Sequence, residues 1–197
     1  MDIKARLTEN EIADIKSAVD ILRKGGVVLY PTDTVWGIGC DARSESGVAR
    51  IYDIKKRQST KAMITLVDSI GMLERVVANV PEPAYSLIEY SEKPLTIIYD
   101  KAINVAPNLI AEDGSIAVRV TRNLFAATIC RFLKAPLVST SANISGAPTP
   151  LCFSDIPTDI IDAVDYVCLS HRTEIPAVKP STIIQLHDNG VFKLIRQ

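Results

Sequence analysis

The sequence predicts an α/β or α+β fold, one β-sheet with helices packed on it. Three observations carry this. Segments with apolar residues at helical spacing alternate with short apolar runs of buried-strand type along the whole chain. Glycine, proline or a capping residue punctuates most of the joins. The 197 residues, 47% hydrophobic and 23% charged, are enough to bury one sizeable core without disulfide or metal staples.

The elements follow in order. Thr8-Glu9-Asn10-Glu11 reads as a capping box, and Ile12, Ile15, Val19 and Leu22 continue it at helical spacing until Gly25-Gly26. Val27 to Tyr30 is a buried strand that Pro31 ends, and a polar loop begins at Thr32-Asp33-Thr34. Ser46 to Lys56 is helical, with Val48, Ile51 and Tyr52 on one face. Ala62 to Val67 reads as a strand, Ile70 to Val77 as a short helix and Pro83 to Glu89 as another helix. Leu95 to Tyr99 and Ser115 to Val120 are strands, and Asn123 caps a helix that runs to about Leu133. Leu137-Val138-Ser139 is a buried strand, and Tyr166 to Leu169 adds one more. Thr182 to Leu186 and Val191 to Ile195 flank Asn189-Gly190, the strongest short hairpin signal. No stretch has the composition of an interdomain linker and no repeat is visible, so a single domain over 1–197 is expected, with its core at about 10–196.

Composition narrows the function classes. A net charge of −1 excludes a wholesale polycation and leaves room for a local basic cleft. Cys40, Cys130, Cys152 and Cys168 lie far apart with no Cys-x-x-Cys pair, so neither a zinc site nor a redox motif is expected, and reduced, mostly buried thiols are. Two histidines, His171 and His187, are a thin basis for a metal site or a Ser-His-Asp triad. No apolar run approaches the roughly 18 residues that cross a bilayer, and Met1 to Arg6 lacks the apolar region of a signal peptide. A cytoplasmic protein with no membrane partner is the expectation.

Polar clusters sit where apolar strands end. Pro31-Thr32-Asp33-Thr34-Val35-Trp36-Gly37-Ile38-Gly39 offers hydroxyls and open backbone to a small polar ligand, although alone it is also an ordinary Thr/Asp turn. Lys55-Lys56-Arg57-Gln58-Ser59-Thr60-Lys61 holds four cations that a triphosphate or nucleic-acid phosphate would relieve, and it lacks the Walker A frame; alone it is equally a solvated helix end. Ser139-Thr140-Ser141-Ala142-Asn143 offers hydroxyls and an amide to phosphate, ribose or a metal-bound water, and helix capping is the alternative. Lys179-Pro180-Ser181-Thr182 alone is a turn. Arg119, inside the apolar strand Ile116 to Val120, must find an anion or an outward face.

Those motifs, taken in order with Lys55-x-Arg57, Lys61, Ala117-Val118-Arg119 and Ser181-Thr182, closely resemble the YrdC-like family over about residues 10–196. Each motif alone is weak; five in the right order at compatible spacing are strong. The resemblance implies an open, twisted, mainly mixed sheet with helices on its faces, around a deep basic concave cavity. It implies threonylcarbamoyl-AMP synthase chemistry: L-threonine, bicarbonate and ATP give threonylcarbamoyl-AMP and pyrophosphate. Other proteins then pass the threonylcarbamoyl group to tRNA, and binding of tRNA or double-stranded RNA is a noted family property. Carried over residue by residue, Thr34, Arg119, Ser139 and Ser181 match the L-threonine side. Lys55, Arg57, Lys61, Ser141, Asn143, Thr149 and Arg196 match the ATP side. No residue is implied as a covalent nucleophile and no protein metal site is implied; Mg²⁺ is expected with ATP.

The chain departs from the family pattern at Gln58, where proline is usual, at Tyr90 to Thr96, and at Thr121, again a usual proline. These departures touch loop geometry more than chemistry. The extra C-terminal domain of longer relatives has no room here. Two other classes stay open: a non-catalytic double-stranded RNA binder using the same cavity, and a nucleotide-binding protein of a sister branch. That branch usually departs at the Thr-x-Thr motif, which is intact as Thr32-Asp33-Thr34.

Overall fold

The computed structural model describes residues 7–56, 63–174 and 180–196. The capping box at Thr8 forms: its hydroxyl accepts from Glu11 N at 3.2 Å while the Glu11 carboxylate accepts from Thr8 N at 2.7 Å. Two of the orphan amides at the helix start are thereby satisfied, and α1 (Glu9–Arg23) follows. It buries Ile15, Ala18, Val19 and Leu22. The chain leaves α1 through Gly25, whose φ of +80° suits glycine.

β1 (Val28–Tyr30) and β2 (Gly37–Gly39) pair antiparallel and are fully buried. α2 (Glu45–Lys55) starts at Ser44, whose hydroxyl accepts from Gly47 N. β3 (Ile64–Val67), α3 (Ile70–Leu73), α4 (Glu82–Tyr90), β4 (Leu95–Tyr99) and β5 (Ile116–Val120) come next. α5 (Leu124–Leu133) is capped by Asn123, and β6 (Leu137–Ser141), α6 (Thr158–Ala163) and β7 (Tyr166–Val167) follow. β8 (Thr182–Leu186) and β9 (Phe192–Arg196) close the chain as a hairpin.

The nine strands form one mixed sheet in the order β7-β1-β2-β6-β3-β5-β4-β8-β9. β1 with β7, β3 with β5 and β4 with β8 are parallel pairs, and the other neighbours are antiparallel. Helices pack on the sheet, α1 against α5 and β1, α5 against β3 and α3 against β3 and β5. The mixed α/β architecture expected from the sequence is therefore the one observed.

Four local features differ from the sequence reading. Gly37–Gly39 is a strand rather than loop, because it pairs on both sides, with β1 and with β6. A Cβ on Gly39 would lie 2.3 Å from Val138 O, so this glycine serves close strand packing rather than ligand approach. The helix expected over 70–77 ends at Leu73, and Val77 bridges to Ala102. α6 has no counterpart in the sequence reading: its six residues follow the N-cap Pro157 and are too few to show a period. The hairpin at Asn189-Gly190 forms, but only Gly190 has positive φ (+83°), and His187 N bonds to Val191 O across a three-residue loop.

Cys40, Cys130 and Cys168 are buried free thiols, and Cys152 is half-buried and free. Burial pushes the first three well above the ordinary thiol range, which makes them inert packing groups. Among the described residues no helix is long and apolar enough to cross a membrane.

Candidate functional site

Strand register alone places the polar side chains on one face of the sheet. Laterally paired residues share a face, and residues two apart on a strand do too. Gly37 pairs with Ser141, Ile64 with both Ser139 and Ala117, and Ile183 with both Thr96 and Arg196. Arg119 stands two residues along β5 from Ala117, on the same face. Over these residues lies a cavity of about 260 Å³, whose wall includes Thr34, Arg119, Ser139, Ser141, Ser181 and Arg196. Thr149 completes that polar wall, and Met63, Ile64 and Ile183 supply its apolar floor.

Thr34 is held by its own loop. The Thr32 hydroxyl donates to Val35 O at 2.6 Å, accepts from Thr34 N at 3.1 Å, and lies 3.1 Å from the Thr34 hydroxyl. Thr32 thus shapes the turn that Pro31 begins, and Thr34 faces the cavity.

Arg119 is 3% exposed. Its Nη2 lies 3.5 Å from Asp33 Oδ1, too long for a hydrogen bond, and neither that oxygen nor Arg119 Nε has a hydrogen-bond partner. Asp33 offsets the buried charge in part, and Arg119 Nε still lacks an acceptor. Arg196 stands on the same wall, and burial followed by the charge of Arg119 lowers its pKa. Two guanidiniums, those of Arg119 and Arg196, thus line one cavity, a donor set whose geometry suits carboxylate or phosphate oxygens.

Arg196 Nε and Nη2 donate to Ser181 O at 3.1 and 2.8 Å, and Nη2 lies 3.3 Å from Ser181 Oγ. Ser139 borders Gly37, where a Cβ would stand 3.2 Å from Ser139 Oγ. Here a glycine does keep the wall open.

Two expected ligand residues sit behind the wall. Lys55 belongs to a cationic run whose sequence suggests a solvated helix end, yet it is 1% exposed. Its ammonium donates to Ser141 O and to Asn143 O at 2.7 Å, with Asn143 Oδ1 at 3.4 Å, while Lys55 O accepts from Ser145 N. The amphipathic face of α2 carries it inward, which a charge count along the sequence does not reveal. Asn143 spends its side chain on the loop: Oδ1 accepts from the Ser141 hydroxyl, and Nδ2 donates to Ile144 O and Ala147 O at 3.1 and 2.7 Å. Arg57 and Lys61 lie outside the described residues.

A second hollow of about 590 Å³ adjoins the first, with Asp33, Leu95, Val120, Arg122, Asn123 and Pro180 on its wall. Pro180 borders both hollows, and the Asp33–Arg119 contact joins their walls. The motifs pointed to hydroxyls and cations but not to Ile64, Ile183 or Thr96, which only strand pairing brings to the site.

Comparison with known proteins bears on family and fold. The Sua5_yciO_yrdC family model, described as telomere recombination, matches residues 20–197. The threonylcarbamoyl-AMP synthase of Xanthomonas euvesicatoria pv. vesicatoria (strain 85-10) is 34% identical over 181 residues, 87% of this chain and 97% of that protein. A double variant of P. abyssi Sua5 is similar in structure with TM-score 0.85 at 29% identity, over 98% of this chain and 58% of that one. P. abyssi Sua5 complexed with L-threonine gives 0.81 at 29% identity, over 92% and 52%. The chain thus spans little more than half the length of those two structures. E. coli YciO gives 0.80 at 25% identity, over 97% and 91%. With the fold, the curated relative and a family match over nearly its whole length in agreement, the chain belongs to the Sua5/YciO/YrdC family.

Proposed function

We propose that this protein is a threonylcarbamoyl-AMP synthase, a nucleotidyltransferase that joins L-threonine, bicarbonate and ATP. The observation that carries the reading is the buried, underpaired Arg119 in a hydroxyl-lined cavity that a second guanidinium also faces. An amino-acid carboxylate completes Arg119, and Thr34, Ser139 and Ser181 offer hydrogen bonds beside it. Ser141, Thr149 and Arg196 are assigned to the nucleotide side by the family resemblance, and all three line the same cavity. Arg57 and Lys61 are assigned to the triphosphate by the family resemblance.

The chemistry asks for positioning more than for a covalent group. The threonine amine and bicarbonate give a carbamate and water. A carbamate oxygen then attacks the α-phosphorus of ATP, and pyrophosphate leaves with the electron pair of the broken P–O bond. Holding the reactants in line is worth up to about 7–11 kcal/mol in well-oriented systems. The arginines offset negative charge as it shifts onto the leaving group. Mg²⁺ would accompany the triphosphate and offset part of its charge. The product serves tRNA modification in the cytoplasm through separate transfer proteins.

Pyrophosphate release, measured with threonine, bicarbonate and ATP omitted in turn, tests this. Release that needs all three supports the synthase. ATP binding with no threonine-dependent release points to the sister branch, and RNA binding alone to the non-catalytic reading.

A further inference from the structure

Ser181 is 2% exposed at the start of β8 and sits on the cavity wall. Its hydroxyl oxygen has two protein neighbours. Arg196 Nη2 lies at 3.3 Å and can only donate. Thr96 Oγ1 lies at 3.0 Å and can donate or accept. Thr96 is itself 0% exposed, in the middle of β4, with Ile183 of β8 beside it on one flank. On the other flank, Ile97 pairs with Val118, so one step back along the antiparallel register brings Thr96 level with Arg119.

The two hydroxyls can bond in either direction, and the direction fixes where the serine proton goes. If Ser181 donates to Thr96, its one proton is spent inside the protein. If Thr96 donates to Ser181, then Arg196 and Thr96 fill the two lone pairs of Ser181 Oγ, and the serine proton turns toward the cavity. A carboxylate or hydroxyl oxygen of the amino acid can accept it there. A buried hydroxyl without a partner is unfavourable, so Thr96 does not drop out of the arrangement when the ligand enters.

We propose that Thr96 is a positioning residue for the amino-acid substrate, donating to Ser181 Oγ so that the serine proton faces the ligand. The inference rests on the proposed synthase function and on Ser181 touching threonine. Thr96→Val keeps the shape and removes the donor; Thr96→Ala removes it without the methyl bulk; Thr96→Ser restores it.

The test measures steady-state KM for threonine and for ATP, together with thermal unfolding, in the parent, these variants, Ser181→Ala and the Thr96→Val/Ser181→Ala double variant. The expected result is a rise in threonine KM of about three- to ten-fold in Thr96→Val, an ATP KM within about two-fold of the parent, and recovery in Thr96→Ser. In the double variant, threonine KM matches that of Ser181→Ala, because Thr96 acts through Ser181. If Thr96→Val unfolds, Thr96→Ala is read in the same way. The proposal is overturned if Ser181→Ala raises threonine KM while both Thr96 variants match the parent, or if the two effects multiply in the double variant. A parent without threonine-dependent turnover instead overturns the synthase reading, and this inference with it.

Discussion

Replacing Lys55 with methionine separates a residue that holds the site from one that touches the nucleotide. Methionine matches the length of the lysine stem and removes the ammonium. Two buried carbonyls, Ser141 O and Asn143 O, then lose a charge-assisted donor. Each such loss costs about 1–3 kcal/mol, and relief of the buried charge returns part of it. A net cost of about 2–4 kcal/mol follows, which for a domain of this size lowers Tm by roughly 4–16 °C. Because the 141–145 loop carries the cavity-facing Ser141, its loosening also raises KM for ATP by about ten-fold or more. Thermal unfolding and ATP titration of pyrophosphate release are read side by side. If Tm stays within about 1 °C of the parent while KM for ATP rises, Lys55 touches ATP from the open cavity and the argument is refuted.

Gly39→Ala puts a Cβ 2.3 Å from Val138 O and 2.8 Å from Tyr30 Cε1, so a loss of about 3 kcal/mol or more, or no soluble protein, is expected. Gly71→Ala, with nothing within 4 Å of the new Cβ, gains up to about 1 kcal/mol in chemical unfolding and is the control. Burial alone would raise the Asp14 pKa, but hydrogen bonds from Ser170, Tyr166 and Leu169 outweigh it and the pKa falls. Its stabilising contribution is therefore full above the unfolded carboxylate value of about 4 and fades as pH falls through the lower folded value; Asp14→Asn flattens this part of the Tm-against-pH curve. In substrate competition, valine is rejected far more strongly than serine, which lacks one methyl and costs about 1–3 kcal/mol, because valine leaves the hydroxyl groups of the site unpaired.

The strands and their end motifs were readable because each signal is local. Apolar runs, a capping box and Asn-Gly each act within a few residues. The gathering of Thr34, Ser139, Ser181 and Arg119 was reached through the family resemblance, since no local signal brings β6, β5 and β8 together. Lys55 and Asn143 show what residue type leaves unseen, namely burial and the protein partners of a polar group. A lysine beside three other cations reads as solvated, and an Asn after Ser-Thr-Ser reads as a ligand group, yet both bond to backbone carbonyls of the 141–147 loop. Thr96 ends the stretch compared with the family pattern, but its pairing was not legible: its partner is 85 residues away in sequence, and only the β4–β8 register sets them side by side.

The central claim is that Arg119 seats an amino acid whose carbamate is joined to AMP. The most direct measurement is mass spectrometry of the product formed from ¹³C-bicarbonate, L-threonine and ATP, by the parent and by Arg119→Lys. The account predicts threonylcarbamoyl-AMP carrying the labelled carbon in the parent. It predicts little of that product from Arg119→Lys, because lysine keeps the charge and loses the planar fork. An unlabelled threonyl adenylate from the parent, or equal labelled product from the two proteins, would contradict it.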